Sequence, residues 1–146
     1  MNIEGFYFPE DLLYDKRHFW SKIKNTIITM GMTDYAVKSA GELVFVESIE
    51  PGRKVSQDQV FMSVESGKWV GRVYAPVSGE VVEVNEELEF EPSLINGDPY
   101  GEGWLVKIKI ADENEINNLL QVENLASWLV PEIKRLRKLE NKKSGQ

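Results

Sequence analysis

The sequence predicts a mainly β fold, a sandwich or barrel, with short helices and a C-terminal helical segment. Short runs rich in β-branched and aromatic residues recur through the first 110 positions, punctuated by Gly, Pro and Asn. They show no strand–helix–strand rhythm, so a parallel α/β sheet is not expected. After Ile110 the apolar spacing becomes that of helices.

In chain order, residues 9–13 read as a short turn of helix. Residues 18–24 and 26–32 form a hairpin with Asn25 at its turn. Residues 33–41 read as a short helix. The Thr33 hydroxyl can cap its orphan N–H groups, and Gly41 can take the left-handed conformation that ends it. A strand over 42–49 closes at Pro51-Gly52. Strands over 60–65 and 70–74 flank a turn at Lys68, and strands over 81–84 and 104–110 follow. Residues 41–47 (Gly-Glu-Leu-Val-Phe-Val-Glu) echo 79–85 (Gly-Glu-Val-Val-Glu-Val-Asn), which hints at two interlocked, quasi-equivalent β units.

Residues 114–124 lead into 125–129, and Pro131 fits the first turn of a final helix through Leu139. Leu129, Ile133 and Leu136 recur at helical spacing, with Lys134, Arg135, Arg137 and Lys138 between them. That pattern reads as an amphipathic helix packed on the β core, with a basic partner-docking helix as the alternative. Residues 141–146 read as a frayed end.

At 146 residues the chain has the size of one domain with its own core. No stretch approaches the roughly 20 apolar residues that cross a bilayer, and the N-terminus has no signal-peptide pattern. No membrane partner is expected, and the absence of cysteine agrees with the cytoplasm. A net charge of −7 argues against nucleic acid, whose phosphates need a basic surface. It suits a soluble protein, expected as a monomer, whose encounters with partners are brief.

His18 is the single histidine, and without cysteine it supports no zinc site. No serine stands in a nucleophile-elbow context. Gly67-Lys68 is no phosphate loop, because Trp69 replaces the hydroxyl that would bind magnesium. The acidic run at 86–91 reads as a solvated loop. The glycines of 97–103 lead into a strand and read as a structural turn.

Lys68 remains. It stands in Glu65-Ser66-Gly67-Lys68-Trp69, between two strand-like runs. A lysine that carries a covalent arm must project from rigid structure, reach solvent and pivot freely. A hairpin tip meets all three demands, with Gly67 easing the backbone into the turn. An ordinary solvated lysine would satisfy the same pattern.

The residues around it add specificity. Met62-Ser63-Val64-Glu65-Ser66-x-Lys68 and Tyr74-Ala75-Pro76-Val77-Ser78-Gly79-Glu80-Val81 resemble the lipoyl-lysine region of the glycine cleavage system H protein family. Gly31-Met32-Thr33-Asp34-Tyr35-Ala36, Asn85-Glu86-Glu87-Leu88 and the segment from Asn96-Gly97-Asp98-Pro99 to Trp104-Leu105 match it in the same order. The resemblance spans roughly residues 18–120. It implies a barrel-sandwich hybrid, the hammerhead of lipoyl and biotinyl carriers, with lipoate in amide linkage to Lys68. Glu65, Ser66, Gly67 and Trp69 would shape the recognition turn for a lipoate ligase or lipoyl transferase.

The same resemblance implies a non-catalytic carrier domain over 1–121, with 122–146 as a helical extension packed on it. The arm would take an aminomethyl group from glycine decarboxylase to aminomethyltransferase and be reoxidised by dihydrolipoyl dehydrogenase. The family usually has valine before the lysine and small residues after it; here Gly67 and Trp69 stand there. That frame is similar to H-like lipoate-binding proteins of sulfur oxidation, which serve a heterodisulfide-reductase-like complex. It also leaves open an H-like interaction module that carries no arm. Biotin carriers, with methionine on both sides of the lysine, do not match.

Overall fold

A computed structural model describes residues 1–144. The chain opens with a tight hairpin, β1 (Asn2–Ile3) and β2 (Phe6–Tyr7), then β3 (Leu13–Tyr14), β4 (Phe19–Lys24) and β5 (Ile27–Met32). Helix α1 (Asp34–Ala40) leads to β6 (Leu43–Val46), β7 (Lys54–Val55), β8 (Val60–Ser66), β9 (Val70–Tyr74) and β10 (Gly79–Val84). Two single-turn helices, α2 (Glu87–Phe90) and α3 (Leu94–Gly97), precede β11 (Val106–Ile110), and a 3-10 turn at Glu113–Asn118 precedes α4 (Val122–Ser144).

The strands form a six-stranded sheet in the order β3-β4-β5-β11-β10-β7 and a three-stranded sheet in the order β6-β8-β9. The echoing segments fall in different sheets, β6 in the small one and β10 in the large one. The short β7 crosses from the β6 side to pair with β10 through Gly79↔Val55 and Glu80↔Lys54.

One core lies between the sheets and takes in Phe61, Val64, Val73, Ile28, Met30, Val81 and Ile108. A second joins β1, β3 and β4 to α4 through Ile3, Phe8, Tyr14, Trp20, Leu125, Leu129 and Ile133. Strand β4 divides them: successive side chains point to opposite faces, so Phe19 enters the first core and Trp20 the second. The amphipathic helix expected at the C-terminus does pack on the β structure, through its Leu129 and Ile133 face.

Local signals are met closely at α1. Thr33 Oγ1 accepts the Ala36 N–H at 3.2 Å, and Gly41 ends the helix at φ +86 with its N–H on Val37 O. Asn25 takes φ +57 at the β4–β5 turn.

Four expectations are corrected. Residues 9–13 form turns leading into β3 rather than helix, because Tyr14 exchanges backbone hydrogen bonds with the distant Leu120 at 2.8 and 2.7 Å. The strand expected over 42–49 stops at Val46, although Ile49 still buries its side chain. Pro131 does not open a final helix; it lies inside the continuous α4. An interior proline costs about 3 kcal/mol or more. Here buried Leu129 and Ile133 flank it and hold the helix on both sides. Helix α4 also runs on through Asn141–Ser144, where fraying was expected; for Gly145 and Gln146 that expectation lies outside the described residues.

Gly31 is where two layers come closest. A Cβ there would stand 2.7 Å from Trp20 Nε1, the atom that donates to Pro99 O at 2.9 Å. Gly31→Ala should therefore displace the indole and lower stability by about 1–3 kcal/mol, the usual cost of overpacking. Urea unfolding checks this.

Candidate functional site at the Lys68 hairpin

Strands β8 and β9 pair through Val64↔Gly71 and Glu65↔Val70, and their connection places Lys68 in solvent. Buried Val64 and Val73 root the two strands in the core, so the turn is rigid at its base. The Ser66 N–H donates to Trp69 O at 2.8 Å, and Ser66 Oγ accepts the Lys68 N–H at 3.3 Å. Ser66, buried despite its hydroxyl, thus ties the turn from beneath. Half-buried Glu65 lies on the same strand, opposite Phe45 of β6.

Gly67 differs from its expected role. It is outside the left-handed region, and nothing lies within 4 Å of where its Cβ would be. The turn does not need a glycine there. The position that needs one is Gly71, where a Cβ would fall on the Trp69 ring. The indole folds back over the β9 edge strand instead of standing beside the lysine. The i, i+2 pairing of Trp69 with a glycine on one strand face was the available signal, and sequence reasoning passed over it.

Gly41 supports the turn from the side. At φ +86 and ψ −168 it occupies a region essentially reserved for glycine, and a Cβ there would stand 3.1 Å from Lys68 Cε. Asn96 fixes this corner: its amide donates to Gly41 O and its carbonyl accepts the Leu43 N–H, both at 2.9 Å. Gly41→Ala should cost about 1–3 kcal/mol of stability and move the Lys68 side chain. A denaturant melt and a crystal structure of the variant would show both effects.

Among the described residues, Lys68 Nζ makes no hydrogen bond or ion pair. The amine is free, exposed and backed by a rigid turn, which fits an amide-linked arm. Its side chain lines an open cleft of about 610 Å3 between α1, the β1–β2 hairpin and the end of α4, with Phe6, Tyr35, Leu136 and Leu139 as apolar walls. His18 does not line this cleft. It stacks behind Tyr35 at 4.8 Å and against Trp128 at 5.8 Å, with φ +75. Its carbonyl accepts the Thr33 N–H, which seats the start of α1. No group of three or more His, Asp or Glu among the described residues is arranged to hold a metal, and no described helix is long and apolar enough to cross a membrane.

Burial pushes two groups of the His18 loop in opposite directions. It raises the Asp15 carboxyl from 3.8 to about 6, opposed in part by the N–H groups of Phe19 and Arg17, and it lowers His18 below 6.5. The folded state therefore holds the Asp15 proton more tightly than the unfolded chain. Asp15 favours folding at low pH, and that contribution is lost as pH rises from about 4 to 6. His18 acts the other way, since protonation below the ordinary imidazole range opposes its burial. Asp15→Asn should gain thermal stability relative to the parent as pH rises from 4 to 7. A difference independent of pH would contradict this assignment.

Comparison with known proteins agrees with this geometry. The glycine cleavage system H protein of Halothermothrix orenii is 47% identical over 121 residues, covering 83% of this chain and 94% of that one. That of Staphylococcus carnosus is 45% identical over 115 residues, covering 79% and 91%. The crystal structure of a glycine cleavage system H protein from Mycobacterium marinum matches with a TM-score of 0.74 at 36% identity, covering 83% of this chain and 98% of that one. The expected barrel-sandwich fold of the lipoyl-carrier type is thus the class this architecture defines. The family model described as glycine cleavage H-protein matches residues 12–132, and the chain belongs to that family.

Proposed function

We propose that Lys68 is lipoylated and that the protein is the non-catalytic carrier of a glycine cleavage system. The observation that carries this reading is the unpartnered, exposed Lys68 amine on a hairpin tip rooted in a lipoyl-carrier-type fold. We take residues 1–121 as the carrier domain and 122–146 as its helical extension.

The chain's own contribution is positional. Glu65 and Ser66 present a fixed shape to a lipoate ligase or lipoyl transferase, and the Ser66 hydroxyl keeps the lysine backbone from wandering. Amide formation removes the Lys68 charge. The attached dithiolane supplies thiol–disulfide chemistry that a cysteine-free chain lacks, and with it the means to carry an aminomethyl group from glycine decarboxylase to aminomethyltransferase, with reoxidation by dihydrolipoyl dehydrogenase. The net charge of −7 suits brief encounters by a monomer in the cytoplasm with partners that present basic docking sites.

The names of the relatives favour aminomethyl cargo over the sulfur cargo of a heterodisulfide-reductase-like system. The free amine favours a modified carrier over an unmodified interaction module.

Lys68→Arg should leave stability within about 0.5 kcal/mol, as expected for an exposed site, and abolish acylation by lipoate ligase. An adduct retained in that variant would sink the assignment. Loaded parent protein should support glycine–carbon dioxide exchange by glycine decarboxylase; loading without exchange would exclude aminomethyl cargo.

A further inference from the structure

The last turns of α4 lie outside the family-matched stretch, which ends at 132. They are also where the charge of the chain divides. Residues 134–143 hold six of the 17 Lys and Arg and one of the 24 Asp and Glu, so this end carries +5 and the rest of the chain −12. Three of these cations form a row. Lys134, Lys138 and Lys142 recur at i, i+4 and i+8, and all are exposed. Each follows a buried residue, Leu125, Leu129 or Ile133, by nine positions. That offset is about two and a half helical turns, so the row faces away from the core.

The row is of one sign. Among the described residues, no acid lies within ion-pair distance of its three lysines. Glu132 is held by Arg135 at 3.1 Å, and Glu140 lines the Lys68 cleft on the other side of the helix. Other lysines are unpaired too, but on the large sheet the cations of β11 stand against acids. Lys109 is opposite Glu80, and Lys107 lies 3.7 Å from Glu83. Leu136 and Leu139 turn to the cleft with Glu140, which leaves the row no apolar side chain to enter a bilayer.

We propose that this row docks an acidic helical segment of an enzyme that works on the Lys68 arm. Carboxylates four residues apart on a helix repeat every ~6 Å, the spacing of the three lysines, so each ammonium meets one carboxylate. A short acidic segment fits the row alone, whereas an extended polyanion such as nucleic acid also meets the repulsion of the −12 body. The opposite side of the same turns lines the cleft that Lys68 reaches, so a partner seated on the row is held next to the hairpin tip. Because the charges are exposed, the contact is weak and serves encounter and orientation. The role assigned to the partner rests on the reading that Lys68 is lipoylated; the charge contact itself does not.

The test compares the full-length parent with Lys134→Gln/Lys138→Gln/Lys142→Gln and with the matching triple Arg variant, circular dichroism verifying that both keep the fold. Unloaded protein is first titrated with a synthetic helical peptide bearing Glu at i, i+4 and i+8. At low ionic strength the Gln variant should bind about tenfold more weakly than the parent, the loss of three exposed ion pairs, and the Arg variant should match the parent. KM for the carrier is then measured with lipoate ligase and, after loading, with glycine decarboxylase, aminomethyltransferase and dihydrolipoyl dehydrogenase of the same host. It should rise about tenfold in the Gln variant for at least one of these enzymes, with kcat unchanged. Equal peptide affinities, or the parent KM with every enzyme, would overturn the proposal. Tighter binding to phosphatidylserine vesicles or duplex DNA than to the peptide would overturn it as well. Failure of Lys68 to load is seen separately, in the intact mass, and removes the carrier reading; the peptide titration still decides whether the row binds acid.

Discussion

The burial of Val64 and Val73 between the two sheets is the constraint on which the site depends. These side chains root the β8–β9 hairpin, so its tip at Gly67–Trp69 stands in solvent on a fixed base, with Gly41 against the side chain of Lys68. A rigid base with a free end is what a swinging arm needs. A loop of the same composition would give the lysine exposure but no fixed shape for a modifying enzyme to recognise. The Ser66 hydroxyl and the Asn96 clamp on Gly41 and Leu43 extend that rigidity to the backbone on either side of the lysine.

Much of this was legible because it is local. The caps of α1 at Thr33 and Gly41, the β4–β5 turn at Asn25 and the strands flanking Lys68 are all set by residues within a few positions of one another. The failures are non-local. Strand β3 exists because Leu13 and Tyr14 pair with Ser21 and Trp20 on one side and Tyr14 with Leu120 on the other, and nothing near residue 13 announces Leu120. Pro131 reads as a helix start on its own, and only the burial of Leu129 and Ile133 lets α4 pass through it. The β1–β2 hairpin gave no signal, since two-residue strands carry no periodicity.

The site itself divides in the same way. Lys68 and its Glu65-Ser66 approach are visible as a motif. Gly67 lacks the role expected of it and Gly71, for which nothing was expected, has one, because glycine's importance depends on what its missing side chain would strike. At Gly67 that is open space, and at Gly71 it is the Trp69 indole. The bulky tryptophan that sets this frame apart is therefore accommodated by a partner glycine two residues later. The contact of Arg137 with the Glu4 carbonyl at 2.7 Å could not be read at all, since it joins residues at opposite ends of the chain.

The most direct test of the central claim is intact mass with peptide mapping around Lys68, on protein isolated from cells that lipoylate their other carriers. A single lipoyl adduct on Lys68 is the expected result. An unmodified Lys68 in that setting would contradict the account and leave a carrier fold that bears no arm.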